Sequence, residues 1–236
     1  MKLSKRLETV ASMVTKGNRA ADVGCDHGFV PIFLVESGIS PLAVAVRLGP
    51  LSRAKEHIKE HRLEEKIQTR LSDGLANIKP GEADSLIMSG IGGILMMRLL
   101  QDEEHTAKSF KELILSPQSE LFDVRRYLVS NGYLIEYEHM LCDEGKYYFI
   151  FHVLVKKDER EWSEEEYRYG KDICKDDIKT FLAYLEKEER QYEQILEKMK
   201  QAPENDRAAQ RIAQLHQDIT CLKKRRQLVY DCGCFA

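Results

Sequence analysis

Short apolar segments alternate along the first part of the chain with longer segments that mix apolar and charged residues. A compact apolar run is typical of a buried strand, whereas apolar residues three or four positions apart are typical of a helix that buries one face. The runs predict strands ending near Val23, over 41–46, and within "KIQTRL", "ADSLIMS" and "KELILS". The other segments predict helices over 2–16, through 32–34 up to Gly38, from Pro50 onward and over "ELFDVRRYLVSNG". This alternation predicts an α/β fold whose parallel sheet has helices on both faces.

The alternation ends at "YLIEYEHMLCDEGKYYFIFHVLV", which contains two long strands on either side of a tight turn at 143–145. Because there is no room for a crossover helix between these strands, they must pair antiparallel. The sequence therefore predicts a mostly parallel seven-stranded sheet closed by a C-terminal antiparallel hairpin. This pattern resembles the Rossmann-like fold of class I S-adenosylmethionine-dependent methyltransferases and argues against a plain nicotinamide-binding domain.

Beyond Lys157 the chain becomes highly charged, and apolar residues recur at alternating three- and four-residue steps in two segments separated by "QAPEND". The apolar residues are Ile178, Phe181, Leu185, Tyr192, Ile195 and Met199, then Ala208, Ile212, Leu215, Ile219 and Leu222. Two such helices joined by a short turn predict an antiparallel coiled-coil hairpin. We therefore divide the chain into a methyltransferase-like domain over 1–157 and a helical hairpin over 158–236.

Composition narrows the class of protein without identifying it. The net charge is −3 and neither predicted domain is strongly basic, so any contact with nucleic acid must come from local patches. The six cysteines form no CxxC pair, which fits a reducing compartment and predicts no metal site. No segment has the apolar length of a membrane span and the N-terminus has no signal-peptide pattern, so we expect a cytoplasmic protein without a membrane partner. The sequence carries no signal that determines the oligomeric state.

The first candidate site is the glycine loop at 22–28, "DVGCDHG", which directly follows the first predicted strand. Glycine lets the backbone approach a ligand closely, but Gly24 and Gly28 lack the GxGxxG spacing of dinucleotide-binding domains. Asp26 lies where a pyrophosphate would need room, and a carboxylate repels an anion but attracts an ammonium or a sulfonium. The loop therefore favours S-adenosylmethionine over NAD as cofactor, with a tight turn capped by aspartate as the purely structural alternative.

Two further loops follow predicted strands, and parallel sheets bind ligands at the carboxyl ends of their strands. The loop 72–74 follows the third strand, and its Asp73 either accepts from an adenine amino group or forms an ordinary Asx turn. The loop 89–93, "SGIGG", follows the fourth strand, and its glycines either expose backbone groups to a flat substrate or form a glycine-rich helix start. We expect the ligand between the turns at 24–28, 72–74 and 89–93.

The motifs "DVGCDHGFVP", "SDGL", "SGIGG" and "DEGKYYFIFHVLV" occur in this order ahead of the predicted coiled coil. In this combination the chain resembles the bacterial TrmK family over nearly its whole length. The resemblance implies an enzyme that transfers a methyl group from S-adenosylmethionine to N1 of adenine 22 in tRNA. The cofactor-binding residues it implies are Asp22, Gly24, Cys25, Asp26, His27, Gly28, Ser72, Asp73, Gly74, Ser89 and Gly90. The residues it implies at the reacting groups are Asp26, His27, Ser89, Gly90 and Ile91.

Two positions depart from the family pattern. Enzymes of this fold commonly have an acid at the end of the second strand that binds the ribose hydroxyls, and the pattern expects it near Ala45. No acid occurs between Glu36 and Glu56, and a lost charge-assisted hydrogen bond costs roughly 1.5–3 kcal/mol of binding free energy. Position 29 is phenylalanine where the pattern suggests tyrosine, which removes a hydroxyl contact.

Adenine N1 carries an in-plane lone pair and no proton, so it can attack a sulfonium methyl group without a strong general base. The enzyme's main tasks are an in-line approach and removal of the base from its stacking and pairing partners. We expect the 89–93 backbone to hold the adenine edge while Asp26 and His27 orient the substrate. His27 is also a candidate for assisting loss of the amino proton, although a hydrogen-bonded loop residue is the simpler interpretation.

The candidate tRNA contacts are cations distributed over the first predicted domain. They are Lys2, Lys5, Arg6, Arg19, Arg98, Arg125, Arg126 and Lys146. Tyr147 or Tyr148 is a candidate stacking surface, and the helical hairpin is either a brace for the tRNA body or a dimerisation arm. Two other functions stay open: a methyltransferase of another substrate, and a non-catalytic RNA-binding adaptor that has lost cofactor affinity.

Overall fold

The computed structural model of the chain describes residues 3–24, 27–40, 42–47, 51–171, 173, 177–200 and 206–231. Its strands are β1 Ala20–Val23, β2 Ala43–Arg47, β3 Ile67–Leu71, β4 Ser85–Ser89, β5 Glu112–Ser116, β6 Leu134–Asp143 and β7 Lys146–Leu154. They form one seven-stranded sheet in the order β3-β2-β1-β4-β5-β7-β6. The first five strands are parallel, and β7 pairs antiparallel with both β5 and β6. The predicted sheet and its C-terminal hairpin are confirmed.

Helices cover both faces of this sheet. They are α1 Lys5–Ser12, α2 Phe29–Glu36, α3 Ser52–Glu60, α4 Gly93–Asp102, α5 Glu104–Ala107, α6 Leu121–Ser130, α7 Glu164–Tyr169, α8 Ile178–Lys200 and α9 Asp206–Asp231. Side chains alternate between the two faces of a strand, so Ile87 of β4 packs with α1 and α2 while its neighbours Leu86 and Met88 pack with α4 and α6. The uninterrupted apolar run of β4 is the consequence of burial on both sides.

A two-residue turn at Glu144 and Gly145 joins β6 to β7. Both residues have positive φ, 50° and 75°, and Asp143 pairs with Lys146 directly across the turn. This left-handed pair is the geometry that matches the twist of a β-hairpin, and glycine adopts it without steric cost. The tight turn expected at 143–145 is confirmed.

The C-terminal helices pack against the sheet as well as against each other. Phe181 and Leu185 of α8 and Val229 of α9 belong to the same apolar cluster as Phe149 and Phe151 of β7. A capping box between Ser163 and Glu166 begins α7, which lies between the sheet domain and α9. The boundary that we draw between residues 157 and 158 stays a prediction, but the hydrophobic core continues across it.

The helices α8 and α9 run antiparallel, because Glu189 pairs with Arg226 near one end and Met199 lies beside Arg211 at the other. Of the apolar positions predicted to form the coiled-coil core, Phe181, Leu185, Leu215 and Leu222 are buried. The prediction is wrong near the C-terminal end of α8, where Leu196 is buried and the predicted core residue Ile195 is 39% exposed. The polar Glu188 interrupts the apolar repeat, so the spacing alone did not determine the register beyond it.

The amino ends of the strands carry a buried polar cluster around Glu112, the first residue of β5. Its carboxylate accepts hydrogen bonds from the Thr15 hydroxyl at 2.6 Å, the Asn18 amide at 3.1 Å and the Ser85 hydroxyl. His152 Nε2 lies 2.9 Å from the same carboxylate. Burial alone raises the pKa of Glu112, but the hydrogen bonds from His152, Ser85 and Thr15 outweigh it and lower the pKa to about 2. The cluster ties the loop before β1 to three strands.

An ion pair between Arg19 and Asp84 lies at the same edge of the sheet. Arg19 donates to Asp84 through its Nε atom at 2.9 Å, and Lys111 Nζ lies 3.0 Å from the same carboxylate. The hydrogen bond from Arg19 lowers the pKa of Asp84 well below its ordinary value.

Within the described ranges, none of the helices has the length and hydropathy for crossing a bilayer. The same residues contain no group of three or more His, Cys, Asp or Glu side chains placed to hold a metal ion.

Candidate active site

The loops after β1, β4 and β5 meet at the carboxyl edge of the sheet, because these strands are neighbours and parallel. They surround a cavity of about 240 Å³, which we call the central cavity. Its lining residues are Arg6, Leu7, Asp22, Gly24, His27, Gly28, Phe29, Val30, Ser89, Gly90 and Gln118. The structure therefore brings together six of the predicted cofactor-binding residues, namely Asp22, Gly24, His27, Gly28, Ser89 and Gly90, with Arg6, a predicted tRNA contact. Cys25 and Asp26 lie outside the described residues.

The first loop places two glycines where other residues would be strained. Gly24 and Gly28 have φ of +93° and +72°, and a Cβ on Gly24 would lie 3.3 Å from the Ile91 side chain. Gly28 also precedes α2, whose first N–H groups receive no side-chain cap from it. The glycines thus allow a sharp turn and a close approach between the loops after β1 and β4.

The central cavity contains one acid and one guanidinium among its described lining residues. Asp22, in β1, is only 6% exposed, and Arg6 reaches the cavity from α1. A negative and a positive group in one cavity complement a zwitterion such as the amino-acid part of S-adenosylmethionine. The residues present therefore fit the methionine half of that cofactor.

His27 belongs to a stack of three rings. Its ring centroid lies 5.0 Å from that of Phe29 and 5.7 Å from that of His57, and Phe29 and His57 are 4.9 Å apart. His57 Nδ1 lies 2.9 Å from the His27 carbonyl oxygen, which can only accept, so His57 carries its proton there. The stack limits the orientations of the His27 ring, and it gives Phe29 a packing role that needs no hydroxyl. His57 is separated from the loop by 30 residues, and sequence reasoning missed it.

The loop after β4 is held by contacts on both sides. Arg6 Nη1 donates to Ser89 Oγ at 2.8 Å, and the Gly90 N–H donates to the Ser116 carbonyl at 3.2 Å. The Gln118 N–H donates to the Ile91 carbonyl at 2.9 Å. The Gly90 N–H is thus committed to β5, which weakens the expectation that the whole 89–93 backbone faces the substrate. The Gln118 side chain, which no sequence motif marked, supplies an amide at the same place.

Gly93 is required for packing. A Cβ at Gly93 would lie 2.5 Å from the Ser119 carbonyl oxygen and 2.8 Å from the Val124 side chain. Both distances are far below normal contact, so α4 can begin here only without a side chain. Part of the glycine content of "SGIGG" therefore serves close packing of α4 against the start of α6.

The loop after β3 does not line the central cavity. Ser72 is buried and its Oγ accepts from the Asn77 N–H at 3.0 Å, while Gly74 packs against Leu99. Asp73 is exposed at the same edge of the sheet. The contact expected between Asp73 and the adenine amino group stays a prediction, since residues 48–50, the next loop along this edge, lie outside the described residues.

The position of the expected ribose-binding acid needs a correction. Ala45 is fully buried in the middle of β2, where it packs with Ile32 and Ala54. The strand continues to Arg47, two residues further. An acid at the carboxyl end of β2 would therefore occupy position 47, which holds a basic residue.

The candidate tRNA-binding cations separate into three groups. Arg125 was wrongly assigned, because it is fully buried and its guanidinium donates to Glu138 and to the carbonyl groups of Tyr167 and Arg168. Arg19 lies at the amino edge in its pair with Asp84, so it does not share a surface with the central cavity. The other assignments stay predictions.

Of these, Lys5, Arg98, Arg126 and Lys146 are exposed, and Lys2 lies outside the described residues. Arg6 is half-buried, with its guanidinium 5.2 Å from the centre of the Tyr148 ring. The basic run at 223–226 is largely paired within the protein: Lys223 and Arg226 with Glu189, and Lys224 with Glu165.

Comparison with known proteins assigns the chain and its fold to a family. Residues 3–151 match the family model described as a methyltransferase domain. The tRNA (adenine(22)-N(1))-methyltransferase of Bacillus subtilis is 28% identical over 232 residues, which are 95% of this chain and 97% of the relative. The crystal structure of the B. subtilis m1A22 tRNA methyltransferase TrmK superposes with a TM-score of 0.87, at 28% identity over 95% of this chain and 99% of that chain. The chain belongs to the TrmK family of methyltransferases.

A further TrmK-like structure carries a ligand. A Streptococcus pneumoniae protein, provisionally named a tRNA (m1A22) methyltransferase, was solved in complex with S-adenosyl-L-methionine. It is 31% identical, covers 95% of this chain and 100% of its own, and superposes with a TM-score of 0.83. The resemblance to this family stated from the sequence motifs is confirmed, and so is the class I methyltransferase fold.

Proposed function

We propose that the chain transfers a methyl group from S-adenosylmethionine to N1 of an adenine in tRNA, namely adenine 22. The observation that carries the proposal is the central cavity, in which Asp22 and Arg6 lie beside Ser89, Gly90 and Gln118. A charge pair suited to an amino acid thus adjoins polar groups suited to a flat base. The TrmK relatives support the identity of both substrates.

The methionine part of the cofactor is assigned to the loop after β1. Asp22 attracts its ammonium group, the backbone at Gly24 and Gly28 allows close approach, and Arg6 attracts its carboxylate. Asp26 is the second acid that we expect at this loop. The bound cofactor supplies an electrophilic sulfonium methyl group, so the protein needs no nucleophile of its own.

The acceptor adenine is assigned to the side of the cavity formed by Ser89, Gly90 and Gln118. Gly90 has φ of +83° and lies between the Arg6 and Gln118 side chains, where its missing side chain leaves room for a ligand atom. The side-chain amide of Gln118 and the hydroxyl of Ser89 can hydrogen-bond to the polar edge of adenine. Since N1 carries no proton, these contacts orient the base and no side chain has to remove a proton before the methyl group transfers.

His27 keeps a predicted role in orienting the substrate. Its ring packs against Phe29, so its position is determined by stacking and its substitution tests orientation directly. We expect His27→Ala to lower the rate of single-turnover methylation. An unchanged rate would remove His27 from the reacting groups and leave it as a packing residue.

The helical hairpin is proposed to brace the body of the tRNA. Because its apolar face shares the core of the sheet, deleting 158–236 would expose that core and confuse binding with unfolding. Reversing the charge of the exposed Lys198 and Arg211 leaves the core intact. Weaker tRNA affinity at an unchanged molar mass supports the brace, whereas an altered molar mass identifies a dimerisation arm.

The test of the proposed function uses unmodified tRNA transcripts, S-adenosylmethionine labelled in its methyl group, and mass-spectrometric mapping of the product. We expect one labelled 1-methyladenosine at position 22 and none in a transcript carrying guanosine there. Label in a different substrate would replace the tRNA assignment. Tight RNA binding without measurable cofactor binding by calorimetry would identify an adaptor instead.

A further inference from the structure

A second cleft lies beside the central cavity, between the loop after β5, the β6–β7 hairpin and α8. Its volume is about 490 Å³, which exceeds that of the central cavity. Its lining residues are Pro117, Gln118, Leu121, Lys146, Tyr147, Tyr148, Phe149, Tyr184, Lys187, Glu188 and Gln191. We call it the hairpin cleft. The residues assigned above to the cofactor do not line it.

Aromatic rings make up one part of this cleft. Tyr184 of α8 contacts Tyr147 and Phe149 of β7 edge to face, with ring centroids 5.4 and 5.1 Å apart. Tyr147 and Tyr184 are only half-buried, so part of their ring surface faces the cleft. Every nucleobase has a flat apolar face that stacks on such rings.

Cations lie next to these rings. Lys187 Nζ is 5.1 Å from the centre of the Tyr147 ring, and Lys146 is exposed at the hairpin turn. A lysine is a mobile point charge that can move from a ring face to a phosphate. Glu188 is the one acid among the described lining residues, against two lysines, and burial raises its pKa. The chemistry of the cleft therefore suits a base joined to a phosphate.

The hairpin cleft and the central cavity are continuous through Gln118, which lines both. Its N–H also holds the loop after β4 through the Ile91 carbonyl. A chain that places one unit in the central cavity can therefore continue directly into the hairpin cleft.

We propose that the hairpin cleft binds the unpaired nucleotide adjacent to the methylated adenine, with its base on Tyr147 and its phosphate on Lys187 and Lys146. Lys187 leaves the face of the Tyr147 ring as the base takes its place. This inference rests on the proposed function and adds a second nucleotide to it. Holding the neighbouring base out of the RNA stack keeps the target base accessible.

The test compares Tyr147→Leu and Lys187→Ala with Lys79→Ala, an exposed lysine near the amino edge of the sheet. Tyr147→Leu is expected to raise the KM for tRNA roughly 10-fold, because stacking on an aromatic ring is lost. Lys187→Ala is expected to reduce the slope of log Kd against log salt by about one, because one phosphate contact is lost. Neither variant is expected to change cofactor affinity, and Lys79→Ala is expected to change nothing.

A fluorescent base analogue makes the test specific for stacking. With 2-aminopurine in the tRNA next to the target adenine, wild-type protein is expected to quench the fluorescence that flipping would otherwise increase, and Tyr147→Leu to abolish the quenching. If the wild-type enzyme methylates tRNA while both variants behave like Lys79→Ala, the cleft assignment is wrong and the proposed function stands. If the wild-type protein does not act on tRNA at all, both are wrong. Lys187→Ala lies on the surface of α8, so it remains informative should Tyr147→Leu fail to fold.

Discussion

The two edges of the sheet use polar side chains in opposite ways. At the amino edge, Glu112 and Asp84 are surrounded by donors from the protein itself, and their charges are compensated within the fold. At the carboxyl edge, Asp22, Arg6 and Gln118 face a cavity. The first arrangement compensates charges within the fold, whereas the second places charged and polar groups at the wall of a cavity that can hold a ligand. Substitutions at the two edges should therefore separate stability from binding.

The largest effect is expected at the amino edge. Glu112→Ala removes a buried carboxylate and leaves its donors unpaired, which we expect to lower the free energy of unfolding by about 3–5 kcal/mol. Urea denaturation measures this loss, with the exposed Glu65→Ala as a control expected within about 0.5 kcal/mol of wild type. A loss below about 1 kcal/mol would mean that the cluster is not a stabilising element.

Asp22→Asn is the matching change at the carboxyl edge. It keeps the shape and removes the charge that we assign to the ammonium of the cofactor. Calorimetry should show S-adenosylmethionine affinity reduced roughly 10- to 100-fold, since a hydrogen bond to a charged group contributes about 1.5–3 kcal/mol. The unfolding midpoint should change little. Affinity equal to that of the exposed Asp123→Asn control would contradict the assignment.

Arg6→Ala is expected to have a smaller effect on the same measurement, roughly 10-fold, because Arg6 is less buried than Asp22. If Arg6 binds the cofactor carboxylate, S-adenosylmethionine and S-adenosylhomocysteine lose affinity equally. If it binds RNA instead, cofactor affinity is unchanged and only the KM for tRNA rises.

The smallest effect concerns pH. The folded-state pKa of Glu112 is lowered to about 2, so its contribution to stability is complete above the ordinary glutamate value near 4.5. That contribution is lost as the pH falls from about 4.5 towards 2, so only its first part is measurable in mild acid. Denaturation at pH 6 and pH 3.5 should show a smaller loss in Glu112→Gln than in wild type. An equal loss would assign the acid sensitivity to other carboxylates.

Most of the fold was predictable because strand–helix alternation and the lack of a crossover between β6 and β7 are local signals. The site was predictable where a glycine marks a turn, as at Gly24, Gly28 and Gly90. The placement of Arg6 and Gln118 in the central cavity was not predictable, because it depends on which strands become neighbours.

The error at Arg125 has the same cause. Arg125 and Arg126 are adjacent, and only the helix face of Val124 and Leu128 indicates which one turns inward. Its partner Glu138 is on β6, and the carbonyl groups it binds are beyond residue 160. A buried cation is recognisable from sequence only when its partners are also known.

The Arg125 guanidinium also makes the interior of the sheet domain depend on residues that are synthesised after the sheet. It donates to both carboxylate oxygens of Glu138 and to the carbonyl groups of Tyr167 and Arg168. A nascent chain that has completed the sheet but not yet reached α7 holds this cation with half of its acceptors still unsynthesised. We therefore expect a chain truncated before Tyr167 to bury a cation that lacks two of its acceptor groups, and to unfold more easily than the full chain.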